Sequence, residues 1–215
     1  KGILEHPAVK SELDLEALLE YFTFQNLFTD RTLLKGLRLF PAGSRAVIQL
    51  GSNGSLDEVV RPELYWDFDF QEPESPLADA EYVEEVDRLF RQAVKRQLVA
   101  DVELGCYLSG GMDSGSITAI AATEFPYVKT FTCGFDLHSA SGLELGFDER
   151  SQSELMSYKF RTEHYEMVLK SGDMERIVPT MAWHLEEPRV GQSYPNYYVA
   201  QLASKFVKVV LSGTG

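Results

Sequence analysis

The junction at residues 108–114 constrains the fold of this chain more than any other segment. Val102-Glu103-Leu104-Gly105-Cys106-Tyr107-Leu108 reads as a buried strand and Ser114 to Phe125 as a helix, with only Ser109-Gly110-Gly111-Met112-Asp113-Ser114 between them. So short a turn feeds a strand directly into a helix, the opening of a β–loop–α unit. Paired glycines followed by a helix start gather several main-chain N–H groups into one concavity, backed by the positive end of the helix, and such a place suits phosphate oxygens. Gly110 and Gly111 can take φ > 0 and let a ligand approach the backbone without a Cβ in the way. Ser109 and Ser114 add hydroxyl donors. Asp113 would repel a bare phosphate, so its carboxylate makes sense with a Mg²⁺ between the two. The plain alternative is a glycine turn in which Asp113 or Ser114 caps the helix. The loop has no Gly-x-x-x-x-Gly-Lys-Ser/Thr pattern and therefore lacks the lysine of ordinary nucleoside triphosphatases.

The pattern around the junction alternates. After a long helix at 79–99, with apolar stripe Val83, Val86, Leu89, Phe90, Ala93, Val94 and Leu98, we read strand 102–108, helix 114–124, strand 128–135, helix 149–159, strand 164–169, helices 173–185 and 195–206, and strand 207–212. Such alternation predicts a parallel sheet with helices on both faces and ligands at the carboxyl ends of its strands. Leu108, Cys133-Gly134-Phe135 and Ser212-Gly213-Thr214-Gly215 all fall at such ends. Upstream, Leu15, Leu18, Leu19 and Phe22 predict an amphipathic helix capped by Asp14. Residues 43–66 predict a hairpin, Val47-Ile48 and Leu56 to Val60 flanking Gly51-Ser52-Asn53-Gly54. Residues 69–78, with Pro73 and Pro76 among acids, read as a linker, and 137–146 as the loosest loop.

Net charge is −13, from 20 basic and 33 acidic residues. An acidic surface disfavours nucleic acid and anionic membrane as partners. No apolar run is long enough for a membrane span and no signal-like segment opens the chain. Cys106 and Cys133, in apolar runs without CxxC spacing, read as buried free thiols of a reducing cytosol. The four histidines have no ligand spacing.

Ser109-Gly110-Gly111-Met112-Asp113-Ser114 resembles the pyrophosphate loop of the ATP pyrophosphatases. Phe40-Pro41-Ala42-Gly43-Ser44 with Tyr65-Trp66-Asp67-Phe68 resembles the end of the glutaminase domain and the linker of glutamine-hydrolysing asparagine synthetases, class II amidotransferases. Phe147-Asp148-Glu149, Thr162-Glu163-His164, Glu186-Glu187-Pro188 and Val209-Val210-Leu211-Ser212-Gly213-Thr214-Gly215 resemble successive segments of their synthetase domain, in the same order. The resemblance implies a sheet of the adenine-nucleotide alpha-hydrolase type (79–215) behind a small α+β tail of the glutaminase domain (1–67) and a linker (68–78). It implies ATP and Mg²⁺ as cofactors, aspartate and glutamine or ammonia as substrates, and asparagine made through a β-aspartyl-AMP with release of pyrophosphate. Ser109, Gly110, Gly111 and Ser114 would cradle pyrophosphate and Asp113 would hold Mg²⁺ as the catalytic residue. Leu108 and Cys133 would contact adenine or ribose, with Ser212 and Gly213 on the far side. A β-lactam synthetase or another tailoring amidotransferase is the alternative within this fold, and a nucleotide-binding fragment inactive on its own the alternative outside it.

The family's glutaminase uses an N-terminal cysteine, whereas this chain begins at Lys1 and has its first cysteine at 106. The family's Asp-Glu pair would follow Gly215. We therefore expect an excised fragment, inactive alone and open to self-association through an uncovered apolar face. Helix capping is the ordinary role of Asp148 and Glu149. Glu186 and Glu187 stand equally as a metal shell or as solvated acids. His164 reads as a hydrogen-bonded structural residue, the family's second histidine being Tyr165 here. Trp66, Trp183 and the Tyr194-Pro195-Asn196-Tyr197-Tyr198 cluster read as packing residues.

Overall fold

The computed structural model describes residues 1–52, 54, 61–139, 142, 146–187 and 193–213, which divide into two units, Lys1–Pro76 and Leu77–Gly215. In the first, helix α1 (Leu15–Phe24) starts at Asp14, whose carboxylate accepts the N–H groups of Glu16 and Ala17 at 3.1 Å each. That satisfies two of the donors a helix start leaves without partners. Ala17 and Tyr21 are its buried residues, whereas the expected apolar stripe of Leu15, Leu19 and Phe22 is exposed. Of the predicted hairpin, the described residues show the antiparallel pairing of β1 (Ser44–Arg45) with β2 (Glu63–Leu64), and Leu50 in a single β-bridge. Val47 and Ile48 are in no strand, and Asn53 and residues 55–60 lie outside the described residues. Trp66 is exposed rather than buried. It meets Phe68 edge-on at 4.7 Å, and Phe68 stacks on Phe70 at 5.2 Å.

The second unit opens with α2 (Asp79–Gln97). Its start is held by the Glu81 carboxylate, which accepts the Ala78 N–H at 2.9 Å, and its last turn carries Lys95 and Arg96 against the negative helix end. The stripe on this helix divides. Val94 and Leu98 are core, while Val83 and Val86 are exposed. There follow β3 (Leu104–Tyr107), α3 (Met112–Glu124), β4 (Lys129–Phe135), α4 (Arg150–Phe160), β5 (Glu163–Leu169), α5 (Asp173–Leu185), α6 (Ser193–Ala203) and β6 (Val209–Leu211). Helix α6 begins two residues before the predicted 195. Pro195 is at home in a first turn, where its missing N–H would have had no acceptor.

The strands form one parallel sheet in the order β5-β4-β3-β6, with Cys106 opposite both Thr130 and Leu211, and Thr130 opposite His164. Side-chain alternation sends Leu104, Cys106 and Leu211 to one face, where they meet Val94, Leu98, Ile120 and Ala121 of α2 and α3. Tyr107, Phe131, Tyr165 and Val210 go to the other, against Val199 and Ala203 of α6. Phe135 and Leu169 extend that second face toward Met181 of α5 and Tyr194, which is buried as expected. Helices thus cover both faces, the doubly wound α/β arrangement expected from the alternation. Because every strand is parallel, the ends of β3, β4, β5 and β6 share one edge. No helix among the described residues is long and apolar enough to cross a membrane.

Candidate functional site

The loop between β3 and α3 emerges at that carboxyl edge. Leu108 continues the strand, its N–H donating to the Phe131 carbonyl at 2.9 Å, and is 0% exposed. That exposure is the whole residue's, so neither the main chain nor the side chain of Leu108 reaches the surface. The hydroxyls of Ser109 and Ser114 are 2.9 Å apart. Ser109 Oγ accepts the Gly111 N–H at 3.1 Å, and Ser114 Oγ accepts the Ser109 N–H at 3.2 Å. Both hydroxyls thus tie the loop to the helix, where the sequence suggested donors turned toward a ligand. Helix α3 has no side-chain cap, its N-cap being Gly111. The N–H groups of Met112 and Asp113 in its first turn have no intrahelical acceptor, and both residues are exposed. The Asp113 carboxylate also faces solvent. This is an anion-receptive helix start with one carboxylate beside it.

The conformational freedom of the two glycines is not used here. Gly111 sits at φ −75°, ψ 154°, and Gly110 is not left-handed either. What Gly110 supplies is space. A Cβ there would lie 2.5 Å from Gln152 Cβ and 3.6 Å from Glu149 Cβ, at the start of α4. Gly213, just past β6, is as tightly placed, for a Cβ on it would lie 2.8 Å from the Ser114 nitrogen and 2.9 Å from Asp113 Cβ. The structure therefore brings Ser109, Gly110, Gly111, Asp113, Ser114 and Gly213 together at one place. Ser212 precedes Gly213 there, whereas Thr214 and Gly215 lie outside the described residues.

Cys133 is half-buried among Phe131, Phe135 and their neighbours on the α5–α6 face, and burial, then the Asp148 charge, push its thiol up to about 12. It offers a packing surface rather than a nucleophile. Cys106 is fully buried, and its thiol is pushed up to about 11 by the same cause. Both thiols are free, as expected.

Asp148 does cap, accepting the Arg150 N–H at 3.1 Å, while Glu149, the N-cap residue of α4, makes no capping bond. Arg150 and Gln152 were not anticipated as part of this edge. No local pattern marks them, since what they touch lies in other strands and loops. His164 is hydrogen-bonded, as expected. Its Nδ1 lies 2.9 Å from Thr130 Oγ1, which is 2.9 Å from Thr162 Oγ1, and burial holds its pKa below the usual histidine value. A groove of about 630 Å³ beside it, lined by Glu154, Ser157, Tyr158, Lys159, Arg161 and Thr162, lies toward the amino end of β5, the opposite edge from the loop. Glu186 ends α5 in a left-handed conformation (φ 60°), with Glu187 exposed beside it and Pro188 outside the described residues. Trp183 is 63% exposed and so is not part of the core. Among the described residues no group of three or more histidine, cysteine or acidic side chains is placed to hold a metal ion.

Residues 85–215 match the family model described as asparagine synthase. A Methanocaldococcus jannaschii protein assigned provisionally as asparagine synthetase (glutamine-hydrolysing) 2 is 29% identical over 222 residues, covering 100% of this chain and 40% of that protein. Bacillus subtilis asparagine synthetase (glutamine-hydrolysing) 1 is 28% identical over 205 residues, covering 95% of this chain and 30% of that one. The chain thus spans well under half the length of these relatives. Among solved structures, NMN synthetase from Francisella tularensis superposes with TM-score 0.36 at 12% identity, over 63% of this chain and 54% of that one.

Proposed function

The chain belongs to the asparagine synthase family, and from that membership we propose that it contributes the ATP site of a ligase making asparagine from aspartate, ATP and ammonia derived from glutamine. The observation that carries the reading is the β3–loop–α3 junction, an exposed helix start at the carboxyl edge of a parallel sheet with Gly213 packed against it. In this reading the first-turn N–H groups of α3 and the loop backbone hold the pyrophosphate portion of ATP. Ser109 and Ser114 keep that loop in shape from behind. Gly110 and Gly213 let α4 and β6 close around it. The β-carboxylate of aspartate attacks the α-phosphorus, forming an acyl phosphate with AMP, and pyrophosphate leaves. Ammonia then attacks the acyl carbon, and AMP departs with the bond electrons. The first step converts a poor leaving oxygen into a good one.

Asp113 fits a Mg²⁺ companion to the nucleotide. Its carboxylate is exposed beside the anion-receptive helix start, with no ion pair among the described residues. When bound, Mg²⁺ would neutralise charge on the departing pyrophosphate. Leu108 and Cys133 would wall the nucleotide from the β3 and β4 ends. Residues 1–67 are proposed as the tail of a glutaminase domain and 68–78 as the linker. The reading is supported by relatives named glutamine-hydrolysing that align along the whole chain, while the family model begins only at residue 85.

The test is substrate profiling of the full-length protein by pyrophosphate release, with aspartate against other carboxylates and with glutamine or ammonia. Aspartate-dependent pyrophosphate and AMP are expected. ADP and inorganic phosphate, or preference for another carboxylate, would overturn the assignment.

A further inference from the structure

Arg150 occupies an electrostatically wrong position. It is the first residue of α4, where the helix end is positive and a cation is unfavourable. What holds it there is a set of bonds to two other segments. Its Nη2 donates to Asp148 Oδ2 at 2.6 Å and to the Phe135 carbonyl at 2.8 Å, and its Nε donates to Asp148 Oδ1 at 3.0 Å. Asp148 Oδ2 in turn accepts the Phe135 N–H at 3.4 Å. The last residue of β4 is therefore gripped through both its N–H and its carbonyl. The arginine stem lies flat on Gly134, where any Cβ would overlap its Nε, Cδ and Cγ. The side chains of Arg150 and Asp148 are only 22% and 10% exposed, and each holds the other in its charged form. On either side of Arg150 in sequence, Glu149 at the N-cap and Gln152 in the first turn of α4 abut Gly110. A single helix start thus touches the end of β4 and the glycine loop after β3.

We propose that Arg150, held by Asp148, is a positioning residue of the nucleotide site, fixing the Cys133–Phe135 strand end and the 109–114 loop at one separation. The inference rests on the proposed ATP site. Replacing the planar fork of arginine with a point charge should loosen that separation without removing any group that touches the nucleotide.

The full-length protein carrying Arg150→Lys, and separately Asp148→Asn, tests this by pyrophosphate-release kinetics, glutamine hydrolysis and thermal melting. Each variant is expected to raise the KM for ATP by about tenfold with kcat changed much less and glutamine hydrolysis unchanged, and the double variant to be little worse than either single one. A merely structural role would lower the folded fraction, reducing kcat at an unaltered KM, and that result would overturn the proposal. A KM for ATP unchanged in folded variants would do the same. Hydrogen exchange on the unsubstituted protein needs no variant to fold. ATP should slow exchange in 133–136 and 148–152 together with 109–114, and protection confined to 109–114 would contradict the coupling. If the unsubstituted protein binds no ATP, the functional reading itself fails and takes this inference with it.

Discussion

Gly110→Ala puts the packing of the loop on trial. The added Cβ would stand 2.5 Å from Gln152 Cβ and 3.1 Å from Gln152 Cγ. Carbon atoms rest at about 3.5–4.0 Å, so the loop and α4 must separate by roughly 1 Å. Changing the Gln152 rotamer moves Cγ but not Cβ, which is fixed to the helical backbone. The strain is therefore shared by the two elements, and overpacking of this kind costs about 1–3 kcal/mol. For a chain of this size that corresponds to a fall in Tm of roughly 2–4 °C per kcal/mol. The same contact names its rescue. Gln152→Gly removes both offending carbons at a cost of about 1 kcal/mol for glycine inside a helix. Gly110→Ala made in the Gln152→Gly background should then be within about 0.5 kcal/mol of that background. Urea and thermal denaturation of the four chains measure the cycle. A Gly110→Ala protein that melts with the parent, or costs that simply add, would refute the idea that Gly110 is glycine because α4 lies against it.

Asp113→Asn in the full-length protein should abolish aspartate-dependent pyrophosphate release while glutamine hydrolysis persists, because the amide keeps the shape and gives up the charge; equal loss of both would indicate misfolding. Cys106 and Cys133 are pushed by burial to about 11 and about 12 from 9.0, so the folded chain keeps protons that the unfolded chain loses. Stability should accordingly fall as pH rises above about 9. Iodoacetamide at pH 8 should label both cysteines far more slowly than in urea, and equal rates would contradict the burial. His164, lowered from 6.5 by burial with Glu154 and Glu166 nearby, favours the neutral ring, so its contribution is present above pH 6.5 and lost as pH falls from there through its lower folded value. Glu166, raised from 4.5 by its own burial, contributes in the opposite sense, present below pH 4.5 and lost as pH rises. Between pH 7 and 5.5 the urea midpoint should drop less for His164→Gln than for the parent; parallel curves would remove the histidine from the account.

How much of this could be read from the sequence depended on how local the cause was. A strand running into a helix was legible, within two residues of β3 (Leu104–Tyr107) and α3 (Met112–Glu124), because side-chain period, paired glycines and a helix start all act within a few residues. The Asp14 cap was legible for the same reason, its two bonds reaching only to Glu16 and Ala17. Parallel pairing followed from the alternation, since helices between successive strands return the chain to the same edge. The exposed stripe of Leu15, Leu19 and Phe22 marks where that reasoning stops. Periodicity shows which side of a helix is apolar but carries no information about what covers it.

The glycine loop divides the same way. Its place between the end of β3 and the start of α3 was determined by the sequence alone. The tertiary structure decided the direction of each group. Ser109 and Ser114 turn inward because each finds the other 2.9 Å away. Gly110 has no side chain because Gln152 fills the space, although its backbone is not left-handed. Arg150 stays at an unfavourable helix start because Phe135, from a separate strand, supplies a carbonyl. Each of these depends on which surfaces of distant segments meet once the sheet has formed, and packing between elements leaves no period in the sequence by which to find it.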